Sequence, residues 1–131
     1  FDMNHKIVAK CRKKQLPVYF GDASNPDILK NAGMEHTTTI VVTLNKPDTS
    51  CQLVERLKEA YPDKMIIARA KDEAHLKRLK KKGADWIVPE MTESSLQLGG
   101  FTLKQLGFDD HFIAQSVREV RETLLETPSL I

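Results

Sequence analysis

Short, continuously apolar runs recur along this chain, and stretches with helical spacing lie between them. Val18-Tyr19-Phe20 is the first run and is closed by Gly21-Asp22. Thr39-Ile40-Val41-Val42-Thr43 is the second and is rich in β-branched residues. Met65-Ile66-Ile67-Ala68 is the third; Trp86-Ile87-Val88, stopped by Pro89, is the fourth. Runs of this kind predict strands buried on both faces. The intervening stretches predict helices. Within residues 4–15, Ile7, Val8 and Cys11 fall at helical spacing. Asn25-Pro26-Asp27 carries a cap, a first-turn proline and an acid favourable to the dipole, and Gly33 suits the position just past that helix. Residues 47–61 place Leu53, Val54 and Leu57 on one stripe, and residues 72–82 end at Gly83. Two more helices, 90–106 and 109–126, flank Gly107.

This alternation predicts an α/β fold, a Rossmann-like doubly wound parallel sheet joined by right-handed crossovers and followed by two C-terminal helices. Phe1-Asp2 reads as the end of a strand. In a sheet ordered 3-2-1-4-5-6 that strand is the second, so the first strand and its glycine-rich loop have no counterpart in this sequence. The strands at Val18 and Ile40 are then expected to flank an unfilled slot, and residues 1–131 alone are not expected to form a stable monomer. Residues 1–89 form the nucleotide-binding-type unit and 90–131 a dimerisation or interdomain segment. The helix at 90–106 has Leu96, Leu103 and Leu106 on one side and Leu98 and Phe101 on another. The first set is expected on its own sheet and the second on a neighbouring subunit. The alternative is a helix covered entirely by the final helix.

Composition narrows the function. The net charge is +2 over 131 residues, far from the clustered basic character of a duplex-binding protein, so no nucleic-acid partner is expected. No apolar run approaches the roughly 20 residues that span a bilayer. Cys11 and Cys51 lack metal spacing and read as small buried or half-buried thiols. His5, His36, His75 and His111 are scattered, so no metal site is expected. His75, Lys77, Arg78, Lys80, Lys81 and Lys82 crowd one helix and read as a solvated face.

The candidate chemistry lies at strand ends, which border the ligand crevice of open α/β sheets. Asp2 could bond ribose hydroxyls, although no GxGxxG precedes it; taken alone it is a terminal surface acid. Asp22, in Gly21-Asp22-Ala23-Ser24, could accept hydrogen bonds from an adenosine or hold its own turn. Thr43 and Asn45 end another strand on that side. Arg69 could grip an anion or form a structural ion pair. No nucleophile stands with a base, so catalytic residues are not expected and the chain does not read as an enzyme. The cofactor half of an NAD-dependent dehydrogenase would need a catalytic domain, and the stretch after Pro89 is too short for one.

These residues also carry a family resemblance. Val18-Tyr19-Phe20-Gly21-Asp22-Ala23, Pro26-Asp27-Ile28-Leu29 and Ala32-Gly33 resemble the RCK domain, the regulator of potassium conductance, also called the Trk-type NAD-binding domain. Ile67-Ala68-Arg69-Ala70, Leu76 to Leu79, Gly83-Ala84-Asp85 and Val88-Pro89-Glu90 continue the likeness in order. Glu93-Ser94-Ser95-Leu96-Gln97-Leu98-Gly99 is most similar to the Kef-type cation:proton antiporter-2 branch. The resemblance implies binding of NAD(H) or an adenine nucleotide such as AMP or ATP. It implies a homodimer and a transmembrane cation transporter portion as partner. It places the domain on the cytoplasmic side of the cell membrane, as a nucleotide-sensing regulator of potassium efflux. By motif position, Asp2 falls on the ribose-binding acid, Asp22-Ala23 on the adenosine pocket, and Thr43 and Asn45 beside the crevice. Lys71 stands where Kef-type members often carry a second arginine. The other function class left open is a ligand-free oligomerisation scaffold.

Overall fold

A computed structural model describes residues 1–125. Its elements run α1 (His5–Lys13), α2 (Pro26–Asn31), β1 (Thr39–Val42), α3 (Pro47–Ala60), β2 (Met65–Ala70), α4 (Glu73–Lys81), β3 (Trp86–Pro89), α5 (Glu90–Gln105) and α6 (Asp110–Leu125). The end of the last predicted helix, at Glu126, lies outside the described residues. Local chemistry sets most boundaries. Asn4 and Asn25 cap α1 and α2 through their side-chain oxygens, and Asp72 caps α4 by accepting from the His75 N–H. Gly33, Gly83 and Gly107 each follow a helix with φ of 82°, 95° and 88°, the left-handed conformation that ends a helix at little cost in glycine. α3 stops at Tyr61 because the next residue is Pro62, which disfavours helical backbone before it.

β1, β2 and β3 form a parallel sheet in that order, with Ile40 opposite Ile66 and Ala68 opposite Ile87. The predicted strand at Val18–Phe20 shrinks to a single parallel bridge between Phe20 and Asp2, separate from that sheet. Pro17 and the exposed Tyr19 and Phe20 give this segment little to pair with or bury against.

The sheet is not buried on both faces, contrary to the expectation from its apolar runs. Ile66, Ala68, Ala70 and Val42 pack with Leu53, Val54 and Leu57 of α3 and Leu79 of α4 in one core. The alternate residues face the other way: Val41 is 63% exposed and Trp86 39%, and Met65 and Val88 are exposed too. The cause is topological. Both crossovers step in the same direction along the sheet, and right-handed crossovers of that kind land on the same side.

One buried-edge contact ties the layers together. The Asp85 carboxylate accepts the Ile66 N–H at 2.7 Å and the Lys58 ammonium at 3.0 Å, while Lys58 also donates to the Lys64 carbonyl. Burial pushes the Asp85 carboxyl up, but the Ile66 N–H and Lys58 outweigh it and hold the group below its ordinary 3.8. Asp85→Ala should therefore lower stability by about 1–3 kcal/mol, because it orphans the Ile66 donor. Asp85→Asn, which keeps an acceptor, should cost less. Urea melts of both variants measure the difference; equal stability in Asp85→Ala and the parent protein would remove the contact from the list of structural ties.

Candidate functional site

The three strands point their C-terminal ends the same way. Thr43-Leu44-Asn45 follows β1, Lys71 follows β2 and Glu90 follows β3. Leu44, Asn45, Arg69, Lys71 and Glu90 line a cleft of about 240 Å³ at this edge. Arg69 organises it. Its Nη2 donates to the Thr43 carbonyl at 2.8 Å and to Asn45 Oδ1, and its Nη1 faces the Glu90 carboxylate at 3.5 Å. Of the two roles open to Arg69, the ion pair is the one displayed. These contacts use only part of the guanidinium donor set, so an anion could still be gripped.

The second group of expected residues sits at the Asp2–Phe20 bridge. Asp2 N–H donates to the Tyr19 carbonyl and the Asp2 carbonyl accepts from Gly21 N–H. This brings Asp2 beside Gly21-Asp22. Asp2 Oδ1 accepts from Asn4 N–H at 2.7 Å, and Asp22 Oδ1 accepts from Ser24 N–H at 2.9 Å. The bonds from Ser24 hold the Asp22 carboxyl below its ordinary value. Asp22 thus holds its own turn. Ala23 is half-buried against the core. Asp2, Asp22 and Ala23 form one group, Thr43, Asn45 and Arg69 another, and no hydrogen bond joins the two among the described residues. Leu44, Lys71 and Glu90 were not among the expected site residues. Their signal was simply their place, directly after each strand.

His75 corrects the expectation of a solvated face on α4: it is 2% exposed. It lies four residues before the buried Leu79, on the inner stripe of the helix. Its Nδ1 accepts the Lys71 N–H at 3.1 Å, fixing the backbone of a cleft residue. Its Nε2 and the Ser50 Oγ are buried without hydrogen-bond partners among the described residues. The remaining cations of α4 behave as expected, with Arg78 on Asp48, Lys82 on Glu55 and Lys77 on Glu73.

A larger groove, about 490 Å³, lies between α5 and α6 rather than at the strand ends. Its floor includes Leu96, Gly100, Ile113 and Val117, and Arg121 clasps Glu93 through two bonds at 2.8 and 2.9 Å. Leu96 is buried, but it lines this groove and is not part of the core on the sheet, and Leu106 is 69% exposed instead of reaching the sheet, because it stands at the end of α5, beyond β3. Leu98 and Phe101, at 68% and 61% exposed, are not covered by α6.

The TrkA-N domain family model matches residues 1–90. K(+) efflux antiporter 3, chloroplastic, of Arabidopsis thaliana is 36% identical over 125 residues, which is 93% of this chain and 16% of that protein. The glutathione-regulated potassium-efflux system protein KefC of Klebsiella pneumoniae is 38% identical over 96 residues, 73% of this chain and 16% of that protein. The chain therefore spans 16% of the length of each of these curated relatives. Among solved structures, the Shewanella denitrificans Kef CTD in AMP-bound form superposes with a TM-score of 0.74 at 22% identity, over 94% of this chain and 87% of that one. The GsuK RCK domain superposes at 0.63 with 28% identity, over 69% of this chain and 20% of that one. The likeness to the former supports the Rossmann-like fold.

His75 gives the site a pH dependence with a definite sign. Burial pushes its imidazole below the ordinary 6.5, with Arg78 adding to the effect and Asp72 and Asp48 opposing it. A base with a depressed folded pKa stabilises the fold fully above the unfolded value. That stability is lost as the pH falls below 6.5 toward the folded pKa, because the unfolded chain takes the proton first. Thermal melts at pH 7.5 and 5.5 should show a larger drop in the parent protein than in His75→Gln. Equal drops would exclude His75 as the source.

Proposed function

The chain belongs to the TrkA-N domain family, and from that premise we propose that it is the nucleotide-sensing regulatory domain of a Kef-like potassium efflux antiporter. It binds NAD(H) or an adenine nucleotide such as AMP, and it acts by binding rather than by catalysis. The observation that carries this reading is the cleft at the strand C-termini, where Arg69 sits among Asn45, Lys71 and Glu90. Two cations and open strand ends suit a phosphate-bearing ligand. Asp2 and Asp22, held together at the Asp2–Phe20 bridge, supply acceptors for ribose or adenosine. The domain lies on the cytoplasmic side of the membrane and biases the transporter through different affinities for its two states.

Assembly follows from α5. Leu98 and Phe101 are exposed beside the α5–α6 groove, and a helix with apolar residues on two sides needs two partners. A second copy of this chain is the partner that covers them, giving a homodimer.

One observation favours a second reading, a scaffold that takes no ligand: Asp2, Asp22 and Arg69 all have partners within the chain. Thermal shift with AMP, ATP and NADH separates the two, since a scaffold shows no stabilisation. Under the nucleotide reading, Asp22→Ala should weaken AMP binding roughly tenfold by leaving a ligand donor unpaired; unchanged affinity by calorimetry removes Asp22 from the site. Sedimentation should show a dimer that Phe101→Asp converts to folded monomers. A parent protein that stays monomeric at high micromolar concentration defeats the assembly proposal.

A further inference from the structure

Several cations of this chain are balanced locally. Lys58, Arg69, Arg78, Lys82, Lys104 and Arg121 each stand against a carboxylate. α1 is different. Lys6, Lys10, Lys13 and the capping Lys14 recur at spacings of four, three and one, which puts them on one face of the helix. All are exposed, and none has an ion pair among the described residues. Residues 5–14 contain no acid. Like charges at this spacing repel one another along a helix. The dipole favours Lys10, Lys13 and Lys14 near the C-terminus, but it opposes Lys6 in the first turn. The opposite face holds the buried Val8 and half-buried Cys11, so the lysines stand on the outward side of the helix. Large apolar side chains accompany them: Met3, Ile7 and Leu16 are all exposed.

We infer that α1 is a docking surface for an anionic lipid bilayer, with Lys6, Lys10, Lys13 and Lys14 on the headgroups and Ile7 at their edge. This inference does not rest on the nucleotide reading. Lysines next to an anionic surface each strengthen attachment, and the attraction fades within a Debye length. A bilayer fits better than a soluble polyanion because cations and aliphatic side chains occur together. Headgroup boundaries accept both, whereas Met3, Ile7 and Leu16 offer no ring on which a nucleic-acid base could stack.

Vesicle sedimentation of the purified protein tests this, with phosphatidylcholine alone and with a phosphatidylcholine–phosphatidylglycerol mixture. The protein should sediment with the anionic vesicles only, and less so as salt rises. Each of Lys6→Gln, Lys10→Gln, Lys13→Gln and Lys14→Gln should lower the partition coefficient about fivefold. Lys80→Gln on α4, which changes the charge by as much as each single α1 variant, should leave binding unchanged, and AMP-induced thermal shifts should remain in the α1 variants. Absence of vesicle binding, equal binding to phosphatidylcholine, or full binding by the quadruple α1 variant overturns the proposal. So does loss of oligonucleotide binding in that variant when the parent protein ignores vesicles, which would assign the surface to nucleic acid.

Discussion

Parallel strands that follow one another must each be fed from the same end of the sheet, so the chain has to cross back over a face between them. Here α3 and α4 make that return on one side of β1-β2-β3. Much else depends on this. Most of the core lies between that face and the two helices, with Leu29 of α2 and Met34 completing it. All three strands release their chains at one edge, which is why Asn45, Lys71 and Glu90 can meet around Arg69 although 45 residues of sequence separate the first from the last. The same constraint leaves the alternate residues of every strand turned away from the core.

The Asp85 contact shows how the crossover layer is locked in register. Asp85 sits just ahead of β3, yet its carboxylate bonds the backbone of β2 and the ammonium of Lys58 on α3. Gly83 belongs to the same arrangement. A Cβ there would come within 3.0 Å of the Lys58 side chain, and its φ of 95° is one that other residues rarely adopt. Helix end, strand start and ion pair therefore share one small volume.

Element order and helix boundaries were largely legible in the sequence because they are set by local chemistry: caps at Asn4, Asn25 and Asp72, glycines at 33, 83 and 107, and Pro62 after α3. Burial was less legible. An uninterrupted run such as Thr39–Val42 does not say whether a second layer covers it; that depends on where distant helices pack. His75 misled for a similar reason. Its neighbours Lys77, Arg78 and Lys80 made the helix read as charged, while its phase relative to Leu79 pointed inward. At the candidate site, strand-end position singled out Thr43, Asn45 and Arg69 as candidates, but side-chain partnerships such as Arg69 with Glu90 depend on three-dimensional register and have no signature in a single sequence.

The bare face of the sheet has a practical consequence. The chain holds one tryptophan, Trp86, and it stands on that face, 39% exposed at the start of β3. Indole emission shifts to the blue when water is excluded from the ring. The protein thus carries its own optical gauge, without any label, for whatever comes to lie across Val41, Met65 and Val88. Because the core side of the sheet contains no indole, the signal would report on that face alone.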